Sequence, residues 1–597
     1  MCGILAVLNN QNTKIVDECE LCLNLMKHRG PDHQSACAHN NITLGHCRLS
    51  IIDLDSSANQ PFIYENLALV YNGEIFNYQE IKTELELLGN IFETKSDTEV
   101  VIKAYAEWGA NCFKKFNGMW TLVIHDRKKD ELIISRDRFG QKPLFFYRTE
   151  NRTIFSSEIN PLLYLTNAEL NINAALEFLH EGSLANVSET FYKEIFSFPK
   201  SEYWIIDKNN EILKEKYWTY PSSKNRVPSV ADFEAILEDA ISLRLQSDVE
   251  VGFLLSGGLD STVIAEVVDQ ISKVKGRKAF TYSDSGESSE LKFAKQTADK
   301  LDFNLLVSNY SKDFYSWDQR LKSVISHLGR GHSSTALVAV DQLLEQANKN
   351  GIKVLLDGQG ADELLLGYKD FQIIVALKYF LSLRFKKMVD TLGDIVTYGI
   401  MNRIIFNLKN LINQKTFRFL NDTFSQNRFI KDPKNINRHK QINHKNDSFL
   451  YKLALKQHTG RLENLLYYGD IISMKHSIEN RSPFLDHRLV EYIFECDDTA
   501  KFHSGIDKYL LRKSKYAQRY PSIVKRKKEG FPSAFPENFR YQVIQKMKNN
   551  YDFLDKILKE RIEVNTDTVK ILNKFSNNKL YKIYQVYICA RITMEAI

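Results

Sequence analysis

Of the residues in this chain, Cys2 gives the clearest indication of catalytic chemistry, because it directly follows the initiator methionine. Removal of Met1 would leave a cysteine that carries a free α-amino group beside its thiol. The unperturbed pKa of a thiol is about 8.5 and that of an α-amine about 7.7 to 8.0, so both groups lie near the range of proton transfer at neutral pH. Such a residue combines a nucleophile with a base and indicates acyl chemistry.

Four polar clusters follow Cys2 and contain the groups that an amide substrate needs. They are Arg29-Gly30-Pro31-Asp32, Arg48-Leu49-Ser50, Asn72-Gly73-Glu74 and Ser96-Asp97. A free amino acid presents a carboxylate and an ammonium group, and Arg48 and Asp97 are the natural pair to bind them. A tetrahedral intermediate needs preorganised donors, and the Asn72 side chain and the Gly73 N–H fit that role.

A second constellation follows an apolar stretch at 251–255 and begins a predicted helix. Its members are Ser256, Gly257, Gly258, Leu259, Asp260 and Ser261. Two glycines let backbone amides approach an anion, and the start of a helix favours phosphate. No Gly-Lys-Ser or Gly-Lys-Thr follows, so the loop is not of the Walker A type. A second acidic loop at 357–363 also follows an apolar strand and is expected at the same edge of the sheet.

The elements that must position these residues differ between two parts of the chain. The first part, to about residue 207, has short β-rich segments broken by turns, which is typical of a stacked, mostly antiparallel α+β fold. Its predicted strands are 42–44, 48–52, 67–71, 120–125, 132–135, 144–147 and 153–156. The predicted domains are 1–210 and 231–597, joined by a linker at 211–230.

The second part alternates strands with helices and predicts a parallel, doubly wound α/β sheet. The predicted strands are 249–255, 279–282, 305–307 and 354–357, and the predicted helices are 261–271, 290–301 and 336–348. The remainder is mostly helical and includes a basic, aromatic-rich insertion at about 371–450. We interpret this insertion as an internal contact or oligomer surface.

Composition narrows the class of protein. The chain has 597 residues, of which 43% are hydrophobic and 26% charged, and this length predicts two or three globular domains. A formal charge of +6 is too small to indicate nucleic acid as a partner. The eight cysteines lack the spacing of a disulfide framework, so we expect reduced thiols in a cytoplasmic protein. No signal peptide or membrane-length apolar run is found, so no membrane partner is expected.

Several motifs of the first part occur together in one order. They are Met-Cys-Gly-Ile at the start, His-Arg-Gly-Pro-Asp from 28, Arg-Leu-Ser from 48 and Tyr-Asn-Gly-Glu from 71. Together they resemble the class II glutamine amidotransferases over nearly the whole first domain. The resemblance implies an N-terminal-nucleophile hydrolase fold, a layered αββα sandwich, with Cys2, Asn72 and Gly73 as catalytic residues. The implied glutamine-binding residues are Arg48, Asn72, Gly73, Glu74 and Asp97.

The Ser-Gly-Gly loop of the second part resembles the pyrophosphate loop of the ATP pyrophosphatases, which release pyrophosphate while they adenylylate an acceptor. The resemblance implies Asp260 and Asp362 as Mg²⁺ ligands, and Lys528 as a catalytic residue that neutralises charge on the leaving group. The implied ATP-binding residues are Leu255, Ser256, Gly257, Gly258, Asp260, Ser261, Tyr282, Asp357 and Gly358.

Both halves together resemble glutamine-dependent asparagine synthetase over nearly the entire chain. The resemblance implies ATP and Mg²⁺ as cofactors, and glutamine, ATP and a carboxylate acceptor as partners. Cys2 would release ammonia from glutamine, and the ammonia would attack an adenylylated aspartate to give asparagine, AMP and pyrophosphate. A homodimer is the expected assembly.

Two positions depart from this pattern and keep other hypotheses open. Gln359 stands where asparagine-forming members carry a glutamate, and a glutamine cannot ionise. Asp470 is followed by Ile471 where an Arg or Asn is usual. The alternatives are amidation of another carboxylate, such as a surface-polysaccharide uronic acid, and a noncatalytic sensor of glutamine or nucleotide. The intact polar clusters argue against the sensor.

Overall fold

The structure is a computed structural model, and it describes most of the chain. The described residues are 2–9, 15–184, 188–272, 274–283, 289–309, 313–368, 371–372, 375–376, 448–526, 535–547, 572 and 575–596. Lys528 and most of the insertion at 371–450 lie outside them, so the sequence predictions for these segments stay predictions.

Short strands dominate the first domain, as the sequence predicts. The strands are β1 (Gly3–Asn9), β2 (His33–His39), β3 (Ile42–Arg48), β4 (Phe62–Tyr64), β5 (Leu67–Ile75), β6 (Gly118–Asp126), β7 (Glu131–Arg136), β8 (Phe145–Arg148), β9 (Arg152–Ser156), β10 (Ile195–Ser197), β11 (Glu202–Ile206) and β12 (Ile212–Lys216). The helices are α1 (Val16–Leu25), α2 (Tyr78–Leu87), α3 (Asp97–Trp108), α4 (Cys112–Lys115), α5 (Ile159–Thr166) and α6 (Ile172–Glu181).

These strands form two antiparallel sheets that lie face to face. Within the described residues, one sheet has the order β10-β8-β9-β1-β3-β2 and the other β12-β11-β7-β6-β5-β4. Alternate residues of β1 serve two cores, because successive side chains of a strand point to opposite faces. Ile4 and Ala6 belong to the core between the sheets, whereas Leu5 and Val7 face the core that contains α1, α5 and α6. With α2 and α3 on the other outer face, the predicted αββα sandwich is confirmed.

Strands and helices alternate through the second domain. Its elements are α7 (Val230–Arg244), β13 (Val251–Leu254), α8 (Leu259–Ser272), β14 (Lys278–Ser283), α9 (Ser289–Leu301), β15 (Asn304–Asn309), α10 (Phe314–Leu328), α11 (Leu337–Lys349), β16 (Val354–Leu356), α12 (Ala361–Leu365), α13 (Phe449–Lys456), α14 (Leu462–Met474), β17 (Glu479–Arg481), α15 (His487–Glu495), β18 (Phe502–His503), β19 (Ile506–Asp507), α16 (Tyr509–Lys513), α17 (Lys515–Gln518), α18 (Pro521–Lys525), α19 (Phe539–Met547) and α20 (Asn577–Ala596).

Five strands of the described second domain form a parallel sheet in the order β15-β14-β13-β16-β17. Helices cover both faces, with α7 and α8 in one core and α10 and α11 in another. The predicted doubly wound sheet is therefore confirmed. The strand order reverses between β13 and β16, and ligands of such sheets bind at the carboxyl edge beside this switch point. The two loops singled out in the sequence, at 255–261 and 357–363, follow these two strands.

The predicted strand at 48–52 is wrong. Strand β3 ends at Arg48, and the chain then leaves the sheet. Leu49 and Ile51 are buried in a core that they share with Val251 and Leu255 of the second domain. The alternate apolar side chains of Leu49 and Ile51 therefore pack at the contact between the domains and not in a sheet. Strand β12 lies inside the range assigned to the linker, and it pairs with β11 of the first domain.

All eight cysteines are free thiols. No helix within the described ranges has both the length and the apolar character needed to cross a lipid bilayer.

Candidate active sites

Cys2 and Asn72 meet where β1 and β5 come together. The Cys2 backbone nitrogen donates a hydrogen bond of 3.0 Å to Asn72 Oδ1. The Asn72 side chain is fully buried, and its Nδ2 has no hydrogen-bond partner among the described residues. An unpaired buried donor is costly unless a ligand completes it. The free Nδ2 beside the proposed nucleophile is therefore suited to bind an oxyanion.

Burial and a nearby hydrogen-bond donor shift the pKa of the Cys2 thiol in opposite directions. Burial raises the pKa of this thiol, and a hydrogen bond from the backbone of Leu49 opposes the rise. A raised pKa disfavours the thiolate, so a base is needed to take the proton during attack. Removal of Met1 would turn the Cys2 nitrogen into an α-amine, which is the base that the sequence predicts.

Gly73 lies where β5 and β6 approach each other closely. It pairs with Trp120 in the antiparallel ladder. A Cβ added at Gly73 would lie 2.2 Å from the Met119 carbonyl oxygen and 2.7 Å from the Trp120 Cα. Both are backbone atoms, which cannot rotate away, so the position requires glycine.

We expect Gly73→Ala to lower the free energy of unfolding by about 2 to 3 kcal/mol, since overpacking forces backbone shifts of this cost. Glutamine hydrolysis should fall with it, because the shift moves the Gly73 N–H. Chemical denaturation followed by circular dichroism measures the effect. Gly460→Ala is the control, because an added Cβ there meets nothing within 4 Å. Equal stability of the two variants would contradict the close approach.

Asp97, the first residue of α3, is the predicted partner of the substrate ammonium. Its Oδ2 accepts hydrogen bonds from the Tyr71 hydroxyl at 2.8 Å and from the Ile75 N–H at 3.0 Å. Burial raises the pKa of Asp97 to about 6, although these two donors oppose it. Burial likewise raises the pKa of Glu74 well above its usual value, with the nearby carboxylate of Glu479 adding to the rise. Glu74 already lies 3.5 Å from the Arg481 guanidinium, so Asp97 is the acid whose ionised form a cationic ligand would favour.

We expect glutamine binding to weaken as the pH falls through about 6, because protonated Asp97 cannot pair with the substrate ammonium. A pKa of about 6 implies that the ionised fraction drops about ten-fold between pH 7 and pH 5, so the KM for glutamine should rise by about that factor. Steady-state glutaminase assays across this range test it. Tyr71→Phe removes a hydrogen bond that lowers the pKa, so the inflection should move to higher pH. A KM independent of pH would oppose the assignment of Asp97.

Arg48, the predicted partner of the substrate carboxylate, already has several acceptors. Its guanidinium donates to the Asp55 carbonyl oxygen and to Asn59 Oδ1, each at 2.7 Å, and also to the Asp53 carbonyl oxygen. These contacts hold the loop after β3 in place. Its role in binding glutamine stays a prediction.

A buried ionic cluster joins the two domains beside Cys2. Arg29 is fully buried, and its Nε donates to the Cys2 carbonyl oxygen at 3.0 Å. Its two terminal nitrogens bind Glu158 at 3.2 Å and Asp470 of α14 at 2.8 Å. Lys142 also reaches Asp470, at 3.3 Å. Because Asp470 lies in the second domain, one carboxylate ties the backbone of Cys2 to that domain.

Hydrogen bonds of two serine hydroxyls within the predicted phosphate loop hold it in a compact conformation. The Ser256 and Ser261 hydroxyls lie 3.1 Å apart, and Ser256 Oγ accepts from the Gly258 N–H at 3.3 Å. Gly257 has a φ of +70°, and an added Cβ would lie 2.3 Å from the Glu290 carbonyl oxygen. The loop therefore needs glycine at 257, and it delivers the chain directly into α8, as the sequence predicts.

Asp260 and Asp362, the predicted metal ligands, converge on one cation. Lys508 Nζ lies 2.6 Å from both carboxylate oxygens of Asp260 and 2.7 Å from Asp362 Oδ1. Burial disfavours the charge on Lys508, but the two carboxylates outweigh it and raise the pKa of the lysine. Two carboxylates that already share a cation fit the oxygen-rich coordination that Mg²⁺ prefers.

The second loop lies directly against the first. A Cβ added at Gly358 would lie 2.9 Å from the Asp260 Cβ. Burial raises the pKa of Asp357 to about 6, while a hydrogen bond from the Ser482 hydroxyl opposes this. Tyr282 is buried in the core near the end of β14, and Leu255 is likewise buried. Two residues before Lys528, Arg526 donates to the Gly257 carbonyl oxygen at 3.3 Å, so the basic segment begins at the phosphate loop.

Two family models match consecutive parts of the chain. Residues 1–218 match the model described as glutamine amidotransferase domain, and residues 232–563 match the model described as asparagine synthase. The second match covers more than half of the 597 residues. The chain belongs to the asparagine synthase family.

Curated relatives in this family differ in the names they carry. A putative glutamine-hydrolysing asparagine synthetase of Methanocaldococcus jannaschii is 31% identical over 407 residues, which cover 62% of this chain and 76% of that protein. A glutamine-hydrolysing asparagine synthetase of Bacillus subtilis is 27% identical over 89% of this chain and 87% of its own length. A protein of Gibberella zeae named as an amidase is 27% identical and covers 86% of both chains.

In this member of the asparagine synthase family, three charged residues have partners that the sequence does not indicate. Sequence reasoning gives no metal-site role to Lys508, whose partner Asp260 is 248 residues away. It assigns none to the pair of Arg29 and Asp470, which are 441 residues apart. The unusual Ile471 after Asp470 draws attention to this segment of the sequence, but no local pattern indicates that Arg29 is the partner of Asp470.

Proposed function

We propose that this chain is a glutamine-dependent asparagine synthetase: it hydrolyses glutamine at Cys2 and transfers the ammonia to an ATP-activated aspartate. One observation carries the proposal. The buried contact of Arg29 with both the Cys2 carbonyl and Asp470 couples the candidate glutaminase site to the candidate nucleotide-binding domain in a single chain. Such coupling serves a reaction in which one site makes the nucleophile that the other consumes.

In the proposed first half-reaction, the Cys2 thiol attacks the side-chain amide carbon of glutamine. The α-amine of Cys2 takes the thiol proton and then gives it to the departing nitrogen, which leaves as ammonia. Asn72 Nδ2 and the Gly73 N–H would donate to the oxyanion of the tetrahedral intermediate. Water hydrolyses the resulting thioester to glutamate and restores the thiol.

In the proposed second half-reaction, a carboxylate oxygen of the acceptor attacks the α-phosphorus of ATP, and pyrophosphate leaves. Ammonia then attacks the acyl carbon, and AMP leaves as the amide forms. Asp260 and Asp362 would hold Mg²⁺, which neutralises charge on the phosphates when bound. The glycine loop would face the pyrophosphate. Lys508, which pairs with both carboxylates, would have to release part of these contacts to a bound metal ion.

A second candidate acceptor is a carboxylate other than aspartate, such as a uronic acid. The observation that favours it is Gln359, whose neutral amide replaces an expected carboxylate in the second loop. An aspartate substrate carries an α-ammonium group, which a carboxylate would bind better than an amide. The amidase name of the Gibberella zeae relative is compatible with varied acceptors in the family.

The deciding experiment measures pyrophosphate release from the purified chain with MgATP and ammonium. L-Aspartate is compared with D-glucuronate, other sugar acids and amino-acid carboxylates. Release with aspartate, and asparagine as the product, supports the first candidate, whereas release with a sugar acid alone supports the second. No release with any carboxylate would contradict the proposal of a synthetase.

A further inference from the structure

The loop at 329–336, between α10 and α11, lies at the edge of the sheet that carries the proposed ATP and acceptor sites. Helix α11 leads into β16 of the parallel sheet, so its first turn lies at the carboxyl edge. The Tyr468 hydroxyl donates to the Gly331 carbonyl oxygen at 3.2 Å. The next residue, Gly469, lies against Gln359, because an added Cβ would be 3.1 Å from Gln359 Oε1. One short segment of α14 therefore touches both this loop and Gln359.

His332 is held in one orientation and one tautomer within this loop. Its Nδ1 accepts a hydrogen bond of 2.8 Å from the Ser334 N–H, so the neutral ring carries its proton on Nε2. The ring contacts Tyr468 edge to face, with centroids 3.8 Å apart. Burial lowers the pKa of His332 to about 3, so the ring is neutral at physiological pH. None of the described residues accepts a hydrogen bond from Nε2.

Helix α20 fixes the backbone of His332 from the other side. Gln585 is fully buried, and its Oε1 accepts from the His332 N–H at 2.6 Å while its Nε2 donates to the His332 carbonyl oxygen at 2.9 Å. One turn earlier, the Tyr581 hydroxyl donates to the Ser334 carbonyl oxygen at 3.1 Å. A paired donor and acceptor on one side chain sets both the position and the direction of the loop backbone.

We infer that His332 is a specificity-determining residue whose Nε2–H donates to an oxygen of the carboxylate acceptor, and that Gln585 is its positioning residue. This inference rests on the proposed function, since it names how the same second site recognises its acceptor. His332 and Gln359 would together present neutral hydrogen-bonding groups to the acceptor. Such a pair would bind carboxylate oxygens that aspartate and a uronic acid both carry, so the inference applies to either candidate acceptor.

The test uses the full-length chain and separates acceptor binding from the other steps. His332→Phe keeps a ring and removes the donor, and Gln585→Met keeps the volume and removes both hydrogen bonds. The KM for L-aspartate and for D-glucuronate is measured by pyrophosphate release with MgATP and ammonium. We expect a rise of about ten-fold for the acceptor that is used, as expected from the loss of one hydrogen bond. The KM for ATP and the rate of glutamine hydrolysis should stay within about two-fold.

Two controls distinguish positioning from a general loss of structure. Tyr584→Phe removes a buried hydroxyl of the same helix that binds Asp318 and not the loop, so it should leave the acceptor KM unchanged. His332→Gln restores a distal N–H donor and should recover most of the loss. Hydrogen–deuterium exchange without any ligand gives a second readout, in which Gln585→Met should speed exchange of the His332 amide while Tyr584→Phe does not.

Unchanged exchange at His332 in Gln585→Met would overturn the positioning role. An acceptor KM within two-fold of the wild-type value in His332→Phe would overturn the specificity role. If the wild-type chain releases no pyrophosphate with any carboxylate, the proposed function fails and the inferred donor to the acceptor fails with it. The exchange measurement would still decide whether Gln585 holds the loop.

Discussion

Cys2→Ala should abolish glutamine-dependent synthesis, with a loss of at least about 10³-fold, because the variant lacks the thiol proposed to form the thioester. Ammonia-dependent synthesis should stay within about two-fold of the wild-type rate, since the second site lies in another domain. The measurement is pyrophosphate release with glutamine and, separately, with ammonium. A loss of the glutamine-dependent rate alone indicates a lost nucleophile, whereas a loss of both rates indicates a misfolded enzyme.

Cys37→Ala is the matched control for this experiment. Cys37 lies on β2, is only partly buried and has no assigned role, so both activities should survive its loss. Glutamine turnover that persists in Cys2→Ala would remove Cys2 as the nucleophile. Loss of both activities would show instead that the side chain is needed for folding.

Asp260→Asn should reduce pyrophosphate release by about 10²-fold to 10³-fold, with either nitrogen source. The amide keeps the size of the side chain but removes the charge that would hold Mg²⁺ and that now binds Lys508. Glutamine hydrolysis should be retained, because Asp260 lies at the phosphate loop of the second domain and Cys2 lies in the first domain. Titration with Mg²⁺ adds a readout, since a lost metal ligand should raise the Mg²⁺ concentration needed for half-maximal rate.

The control for this substitution is Asp269→Asn, the same change on the same helix. Asp269 pairs with Lys275 in a partly exposed ion pair at 3.2 Å, and such pairs contribute little. Its loss should leave both activities unchanged. If Asp260→Asn behaves like Asp269→Asn, the carboxylate at 260 is not a metal ligand.

Several elements of the second domain could be predicted closely because a short apolar strand is followed by a glycine-rich or acidic loop, as after β13 and β16. The predicted helix at 261–271 corresponds to α8 (Leu259–Ser272), and the predicted strand at 354–357 to β16 (Val354–Leu356). In these segments the local pattern and the tertiary structure agree, because β16 is fully buried and α8 has a long buried face.

Prediction fails where an apolar residue packs on the other domain. Leu49 and Ile51 alternate as strand residues do, yet they end in a core shared with the second domain. Local patterns record that a side chain is buried but not which partner buries it. The same limit hides the partners of Lys508 and Asp470, because these partners lie far away in sequence.

The pairing of Arg29 with Asp470 bears on whether the two halves can be made as separate proteins. A first domain expressed alone would keep Arg29 on the Cys2 carbonyl and Glu158 but would lose Asp470, and with it one charge that balances a fully buried guanidinium. Breaking one partner of a buried ion pair typically costs about 3 to 5 kcal/mol. The two domains are thus not independent units. Separating them would leave the Cys2 carbonyl bound to an Arg29 guanidinium that has lost one of its two carboxylate partners.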